Sequence, residues 1–321
     1  MSVTYQDIEK AAERLAGAAV VTPIIESPAL NARLGARVVI KPETLQLGGA
    51  FKLRGAYNRI SQLTEDEKTR GVVAFSSGNH AQGVALAARM VGTSALIVMP
   101  SDAPKLKIEA TIGYGAEVLL YDRYTEDREA VARKIAAERG SVVVPSYDDV
   151  RVIAGQGTVG LELARQAGKL DVVLAPVGGG GLIAGTSIAF GHQFPDAEFW
   201  GVEPAAFDDT KRSFASGRRE SVDPAARSLC DALQAPSPGK ITFEINKRNL
   251  AGVLTVSDAE VAEAMRYAFG TLKLVVEPGG CVALAALLAG KLDLAGRSAG
   301  IVLSGGNVDP DLYAHVLAGE I

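Results

Sequence analysis

Cysteine is scarce in this sequence, with only Cys230 and Cys281 among 321 residues, too few for a framework of disulfides. Residues 1–7 lack the basic start and apolar run of a secretory signal, so we interpret both cysteines as reduced thiols of a cytoplasmic protein. Long hydrophobic runs are missing too: a stretch such as 172–177 is far too short to cross a bilayer, and no membrane association is expected.

Excess charge of either sign is also missing. Lysine and arginine number 33 against 37 aspartate and glutamate residues, a formal net charge of -4. A protein that binds nucleic acid usually carries a basic excess for the phosphate backbone, so we do not expect that partner. The remaining composition, 48% hydrophobic and 22% charged, is that of a globular protein. Its length suits two domains or one large α/β unit.

Strand and helix patterns alternate along the chain. Strands are predicted at 38–43, 71–75, 95–99, 117–121, 142–145, 171–177, 199–204 and 300–303, and helices at 4–16, 104–113, 125–139 and 159–166. A loop is predicted at 151–157, and a capping box from Ser257 to Glu260 opens a further helix. This alternation is typical of parallel sheets covered by helices on both faces.

A lysine lies among glycines directly after the first of these strands, in Gly48-Gly49-Ala50-Phe51-Lys52-Leu53-Arg54-Gly55-Ala56. A lysine held on such a turn beside Phe51 would be partly desolvated, would lose its proton more easily, and could attack a carbonyl carbon. The alternative is an ordinary surface lysine at a helix start.

Four glycines, Gly178, Gly179, Gly180 and Gly181, follow the most apolar strand and open a helix at Leu182. Free backbone N–H groups and the positive end of a helix favour an anion there. Neither the P-loop sequence nor the dinucleotide fingerprint fits, which argues against a nicotinamide-dependent dehydrogenase and favours the monophosphate of a compact cofactor. A flexible turn is the alternative.

Two further polar turns follow predicted strands, Ser76-Ser77-Gly78-Asn79-His80 and Ser304-Gly305-Gly306-Asn307. Taken alone, each could be a structural cap. Ligands of open α/β sheets bind beyond the carboxyl ends of the strands. Three such turns and one sequestered lysine therefore suggest a single cofactor cleft.

Together these motifs, with Ala154-Gly155-Gln156-Gly157-Thr158, resemble the fold-type II pyridoxal-phosphate enzymes, the tryptophan-synthase-β-like superfamily, and within it the threonine/serine dehydratase and serine racemase family. The resemblance covers nearly the whole chain. It implies two open parallel-sheet α/β domains with the cofactor in the cleft between them. The large domain would comprise 1–70 and 149–321, and the small, mobile domain 71–148. The family also suggests a homodimer.

The resemblance implies roles for individual residues. Lys52 would hold pyridoxal 5'-phosphate covalently and later take the Cα proton, and Ser77 would be the second acid/base on the opposite face. Phe51 would border the ring, Asn79 would bond its hydroxyl and Ser304 would face its nitrogen. Gly178 to Gly181 and Leu182 would hold the phosphate. The substrate carboxylate would be received by Ser77, Asn79 and His80.

A divalent cation site is also implied, with Glu203, the carbonyl of Phe207 and Asp209 as ligands; oxygen ligands suit Mg²⁺ or Ca²⁺. A solvated acidic loop is the alternative there.

The expected activity is that of an ammonia-lyase converting L-threonine or L-serine, small amino-acid substrates, to a 2-oxo acid and ammonia. A 3-hydroxyaspartate dehydratase and a serine racemase with lyase side activity are the alternatives. Arg128 favours the first of these. It falls where racemase-like and hydroxyaspartate-cleaving relatives place an arginine over the distal side of the substrate, a residue that simple threonine dehydratases often lack, and arginine grips carboxylates in bidentate fashion. A surface ion pair is its other interpretation. Ala50 and Ala235 depart from the family pattern, which has serine at both positions in some members. A catalytically silent ligand-sensing relative is disfavoured by the retained Lys52.

Overall fold

The computed structural model describes residues 2–76, 78–103, 105–122, 125–223 and 225–321. Its helices are α1 Tyr5–Leu15, α2 Pro28–Leu34, α3 Lys52–Ile60, α4 Glu65–Arg70, α5 Asn79–Val91, α6 Lys105–Gly113, α7 Arg128–Arg139, α8 Val150–Ala167, α9 Gly181–Gln193, α10 Asp209–Ser216, α11 Lys240–Asn249, α12 Asp258–Tyr267, α13 Pro278–Leu288 and α14 Pro310–Ala318. Its strands are β1 Ile25–Glu26, β2 Val38–Pro42, β3 Val72–Phe75, β4 Ala95–Pro100, β5 Glu117–Tyr121, β6 Val142–Val143, β7 Val172–Pro176, β8 Glu198–Pro204, β9 Gly252–Val256 and β10 Ala299–Leu303.

The strands form two sheets. Within the described ranges, the larger has six strands in the order β1-β2-β10-β7-β8-β9, and the smaller has four in the order β5-β4-β3-β6. All neighbouring pairs are parallel except β1 with β2. The expected pair of parallel-sheet α/β units is therefore confirmed. The strands of the smaller sheet all lie between Val72 and Val143, and the domain boundaries at 70 and 148 stay a prediction.

Both faces of the larger sheet are covered, as its apolar strands predict. Along β2, Val38 and Ile40 pack into one hydrophobic cluster with α12 and α13, while Val39 packs into another with α8 and α9. Within the described ranges, none of the helices has the length and apolar character needed to span a bilayer.

The loop predicted at 151–157 is wrong, because this segment forms the first half of the 18-residue helix α8. The glycines that suggested a loop are contact points between helices. A Cβ on Gly155 would lie 2.4 Å from the Arg54 carbonyl oxygen of α3, and one on Gly157 would lie 2.9 Å from the Gly185 carbonyl oxygen of α9. Small residues let these helices approach closely, and glycine is used here for space rather than for flexibility. The capping box from Ser257 to Glu260 at α12 is confirmed.

Candidate active site

The lysine turn and two of the polar turns leave the same edge of the larger sheet. Strand β10 pairs with both β2 and β7, and the carboxyl ends of these parallel strands lead into the lysine turn, the 304–307 turn and the 178–181 loop. Hydrogen bonds join the first two: Phe51 N–H donates to the Ser304 carbonyl at 3.1 Å, and Gly306 N–H donates to the Gly49 carbonyl at 2.9 Å. Ser304 is buried there.

Lys52 is the first residue of α3, and its side chain reaches the segment that follows β6 of the smaller sheet. Its Nζ donates to the Ser146 carbonyl at 2.8 Å and lies 5.1 Å from the centre of the Phe51 ring. Loss of hydration on burial lowers the pKa of Lys52 to about 8, and the Glu277 carboxylate opposes this shift. The amine therefore loses its proton far more readily than an exposed lysine.

The 178–181 loop is supported from behind by α11. Thr242 Oγ1 donates to the Gly179 carbonyl at 2.6 Å, and Asn246 Nδ2 donates to the Gly180 carbonyl at 3.2 Å. Gly180 has φ of 88°, a left-handed conformation that favours glycine, and α9 begins at the next residue. The first N–H groups of a helix have no partner within it, so the start of α9 offers donors to an anion.

The ring of Tyr147 covers this loop. A Cβ on Gly179 would lie 2.2 Å from Cγ of Tyr147, so only glycine lets the ring lie flat against the backbone. A Cβ on Gly181 would be 2.7 Å from Oε1 of Gln156, a buried oxygen without a hydrogen-bond partner among the described residues. Burial raises the pKa of the Tyr147 hydroxyl, which stays protonated, while Arg128 acts in the opposite sense.

Asn79 and His80 open α5 on the side of the smaller sheet, whereas Ser77 lies outside the described residues. Asn79 is buried against Glu277 and Asn307. The Nε2 of His80 lies 2.8 Å from the Val144 carbonyl oxygen. Burial, with repulsion from Lys52, lowers the pKa of His80 to about 3. The ring is therefore neutral with its proton on Nε2, and it serves Val144 rather than an anion in the cleft.

Arg128 begins α7, and its guanidinium carbon lies 5.9 Å from the centre of the Phe75 ring. Phe75 ends β3, next to the 76–80 turn. Of the two acids adjoining it, Asp127 caps α7 by accepting from the Glu129 and Ala130 N–H groups, and Glu129 pairs with Arg133 at 2.6 Å. Throughout the described part of the chain, no carboxylate forms an ion pair with Arg128. The surface ion pair that the sequence left open is therefore not formed in these ranges, and the guanidinium of this half-buried residue lies near the aromatic ring that ends β3.

Glu203 and Asp209 are both buried, at the end of β8 and the start of α10. The Glu203 carboxylate accepts from the Thr210 and Lys211 N–H groups at 3.1 Å each, and Oδ2 of Asp209 has no partner among the described residues. Burial raises the pKa of Asp209 to about 7; burial and then repulsion by Asp209 raise that of Glu203 to about 8. No group of three or more His, Cys, Asp or Glu suited to a metal occurs in the ranges described, so a cation here would need further ligands such as the Phe207 carbonyl.

Several features of this site were not predicted from the sequence: the contacts of Tyr147, Thr242, Asn246 and Glu277, and those of the Asn307 side chain. Thr242 and Asn246 lie on an ordinary amphipathic helix, and nothing in their spacing indicates a function. Glu277 had a signal in the sequence, because it directly precedes Pro278-Gly279-Gly280 and an apolar helix. Glutamates are mostly exposed, so its burial there is unusual.

A phosphorylated aldehyde fits these residues. The unpartnered N–H groups of a helix start and four glycines without side chains suit its phosphate, and the depressed pKa of Lys52 suits attack on its aldehyde carbon. A Cβ on Gly179, Gly180 or Gly181 would lie within 2.7 Å of a neighbouring side chain, whereas one on Gly178 would lie 3.3 Å from Leu233. Three of the four glycines are therefore closed to larger residues, which is the form expected of a cradle built for backbone contact.

Comparison with known proteins agrees with this fit. The sequence profile of the family described as "Pyridoxal-phosphate dependent enzyme" matches residues 15–305. L-threo-3-hydroxyaspartate ammonia-lyase of Pseudomonas sp is 48% identical over 98% of this chain and 99% of its own length. The catabolic L-threonine dehydratase of Escherichia coli K12 is 39% identical over 96% and 94%. The crystal structure of serine racemase from Dictyostelium discoideum matches with a TM-score of 0.90 and 36% identity, covering 96% of this chain and all of that one.

Proposed function

The chain belongs to the family of pyridoxal-phosphate dependent enzymes, its fold is that of fold type II, and we propose that it is an ammonia-lyase acting on L-threo-3-hydroxyaspartate. The sequence favoured L-threonine or L-serine, with 3-hydroxyaspartate as an alternative. That alternative now has better support, since the relative named for hydroxyaspartate is more similar to this chain than the threonine dehydratase.

The guanidinium of Arg128 is the observation that carries the proposed substrate. It is half-buried beside Phe75, unpaired among the described carboxylates, and within electrostatic reach of Tyr147 in the cleft. A cation in this setting lacks the counter-ion that a partly buried charge requires, and the second carboxylate of 3-hydroxyaspartate would supply it. Threonine and serine have no such group.

The bound cofactor would supply an electron sink for the negative charge that develops at the substrate Cα. We assign its phosphate to the 178–182 backbone, its aldehyde to Lys52, its ring hydroxyl to Asn79 and its ring nitrogen to Ser304. Phe51 would border the ring. All of these lie at or beside the strand ends that bound the cleft.

In the reaction itself, Lys52 would take the Cα proton, a step suited to an amine whose pKa is lowered to about 8. The β-hydroxyl would then leave as water, taking up one proton in exchange for the one that Lys52 removes from Cα. Arg128 would orient the distal carboxylate, and the N–H groups at the start of α5 would hold the α-carboxylate. The released enamine tautomerises and hydrolyses to oxaloacetate and ammonia, which balances the elimination.

A racemase side activity depends on Ser77 as an acid on the face opposite Lys52. That residue lies outside the described ranges, so the assignment stays a prediction from the sequence.

We also propose that Glu203, Phe207 and Asp209 bind Mg²⁺ or Ca²⁺, because a cation would relieve the repulsion between two buried carboxylates and engage the unpartnered oxygen of Asp209.

A substrate panel tests the proposed activity. Reconstituted enzyme should release 2-oxo acid from L-threo-3-hydroxyaspartate with kcat/KM at least tenfold above that for L-threonine, L-serine or the erythro diastereomer. Arg128→Ala should lose about 10²-fold on hydroxyaspartate and little on threonine, since a charge-assisted pair is worth about 1.5–3 kcal/mol. Arg133→Ala, which removes an exposed arginine of the same helix, is the matched control. Equal losses on both substrates would contradict the role of Arg128, and preference for threonine would overturn the proposed substrate.

A further inference from the structure

Glu277 is a buried carboxyl at the back of the cleft, and the reaction above does not use it. It precedes α13, is 1% exposed, and its Oε1 accepts from Asn79 Nδ2 at 2.6 Å. Its own N–H donates to the Gly305 carbonyl at 3.1 Å. A Cβ on Gly305 would lie 2.4 Å from the same Oε1. Glu277 therefore lies between the start of α5 and the turn after β10, which come from the two sides of the cleft.

The orientation of the Asn79 amide follows from its neighbours. Asn307 Nδ2 donates to the Gly48 carbonyl at 2.8 Å, and a carbonyl can only accept, so this end of Asn307 is the nitrogen. The same Nδ2 lies 2.8 Å from Asn79, whose facing atom must then be the oxygen. The Asn79 nitrogen consequently faces Glu277, whichever protonation state the carboxyl has.

One donor of Asn79 is left over by this arrangement. An amide nitrogen carries two N–H groups, and Glu277 receives one of them. The other has no partner in the described part of the chain, on a side chain that is 8% exposed at the opening of the cleft. A buried donor without a partner is costly unless a ligand accepts it.

We propose that Glu277 is a positioning residue that, through Asn79, aims this second N–H at the ring hydroxyl of the bound cofactor. The inference rests on the proposed function, which assigns Asn79 to that hydroxyl. Glu277 itself would not touch the cofactor. Its carboxyl and the Asn307 amide hold the two ends of one amide, and a side chain held at both ends cannot turn away when the cofactor is absent.

The charge state of Glu277 gives the proposal a second consequence. Burial raises the pKa of Glu277 to about 8; Asp231 adds repulsion, and the Asn79 hydrogen bond, Lys107 and Lys52 act in the opposite sense. Asp231 is itself paired with Lys107. The carboxyl is thus mostly protonated at pH 7, and a neutral acceptor should position Asn79 as well as the native residue does. Above pH 8 it ionises, and its negative charge should then weaken binding of an ionised ring hydroxyl nearby.

The test uses cofactor titration of the full-length apoprotein, read by the absorbance spectrum and the dissociation constant. At pH 7, Glu277→Gln should bind the cofactor with an affinity within about threefold of wild type. Between pH 7 and 9 the affinity of wild type should fall as Glu277 ionises, and the variant should lack this fall. Glu277→Ala should weaken it about tenfold to a hundredfold and move the absorbance maximum, as expected for a lost orienting hydrogen bond. Glu277→Leu, which fills the space without an acceptor, replaces the alanine variant if that one does not fold.

A double-mutant comparison separates positioning from a merely structural role. If Glu277 acts through Asn79, the double variant Asn79→Ala/Glu277→Ala should bind the cofactor no worse than Asn79→Ala alone. Additive losses, or an unchanged spectrum in Glu277→Ala, would overturn the inference. Failure of the proposed function has a different signature: wild type would not bind the cofactor at Lys52, or Asn79→Ala would be silent.

Discussion

Arg54 and Glu43 form a two-bond ion pair in the interior, with Nε to Oε2 at 2.7 Å and Nη2 to Oε1 at 2.9 Å. Both side chains are at most 1% exposed. The other edge of the same guanidinium binds Glu162 at 2.6 and 2.9 Å. Arg54 follows Lys52 by two residues on α3, so this pair anchors the helix that carries Lys52. Every donor of the buried cation is engaged, which is the condition under which such a charge is tolerated.

Replacing Arg54 by methionine should therefore destabilise the protein strongly. Removing one partner of a buried ion pair leaves the other unpaired, at a cost of about 3–5 kcal/mol. The measurement is urea unfolding of the apoprotein followed by circular dichroism. Arg33→Met is the control, because its pair with Glu263 is exposed on both sides and should be worth at most about 1 kcal/mol. Similar losses in the two variants would mean that Arg54 is not an anchor.

Local patterns carried most of what the sequence could predict. The lysine turn and the 178–181 loop were predicted because the pattern of an apolar strand followed by glycines lies within a short stretch of sequence. The Asn79–Glu277 contact joins positions 198 apart, and no local pattern predicts such a pair. The error at 151–157 also comes from relying on local sequence. Its glycines suggested a break in the helix, whereas the residues that they contact, Arg54 and Gly185, lie on other helices.

The predicted metal site depended on burial, which the sequence alone did not reveal. Glu203 and Asp209 are six positions apart, and the sequence could not tell a solvated acidic loop from a buried pair. Their burial removes the first alternative. What burial does not supply is a third side-chain ligand, since no larger cluster occurs in the ranges that the structure describes.

The depressed pKa of Lys52 predicts a pH profile for cofactor attachment to the apoprotein. The free amine attacks and the ammonium does not, so the rate should rise as pH approaches about 8 and level off above it. A lysine with its ordinary pKa of about 10.4 would keep gaining to beyond pH 10. The rate is read by stopped-flow absorbance with pyridoxal phosphate in excess. Lys105→Ala, on an exposed lysine, should leave the profile unchanged. Borohydride reduction followed by mass spectrometry should tag Lys52, and a tag elsewhere would contradict its role.

A methyl group on Gly179 should impair the cofactor site without unfolding the protein. It would lie 2.2 Å from Cγ of Tyr147, the root of the ring, so the whole side chain must move. We expect Gly179→Ala to weaken cofactor binding at least tenfold, about 1.4 kcal/mol. Adding Tyr147→Ala should recover part of that loss. Gly113→Ala is the matched control, because a Cβ there meets nothing within 4 Å. If the double variant binds no better than Gly179→Ala, the ring is not the obstacle.

Divalent cations should stabilise the protein through Glu203 and Asp209. A ligand that binds only the folded state stabilises it by about 1.4 kcal/mol at ten times its dissociation constant, which for a chain of this size raises Tm by a few degrees. Thermal unfolding of EDTA-treated protein with and without millimolar Ca²⁺ or Mg²⁺ measures the shift. Glu203→Gln should abolish it, because a neutral amide leaves Asp209 as the only carboxylate of the pair and weakens a site built from oxygen charge. Glu198→Gln is the matched control: Glu198 lies at the exposed end of the same strand, and this variant should keep the full shift in Tm. A shift that survives Glu203→Gln would place the cation elsewhere, and the Glu203 carboxyl would then be held by the N–H groups of Thr210 and Lys211 without a metal.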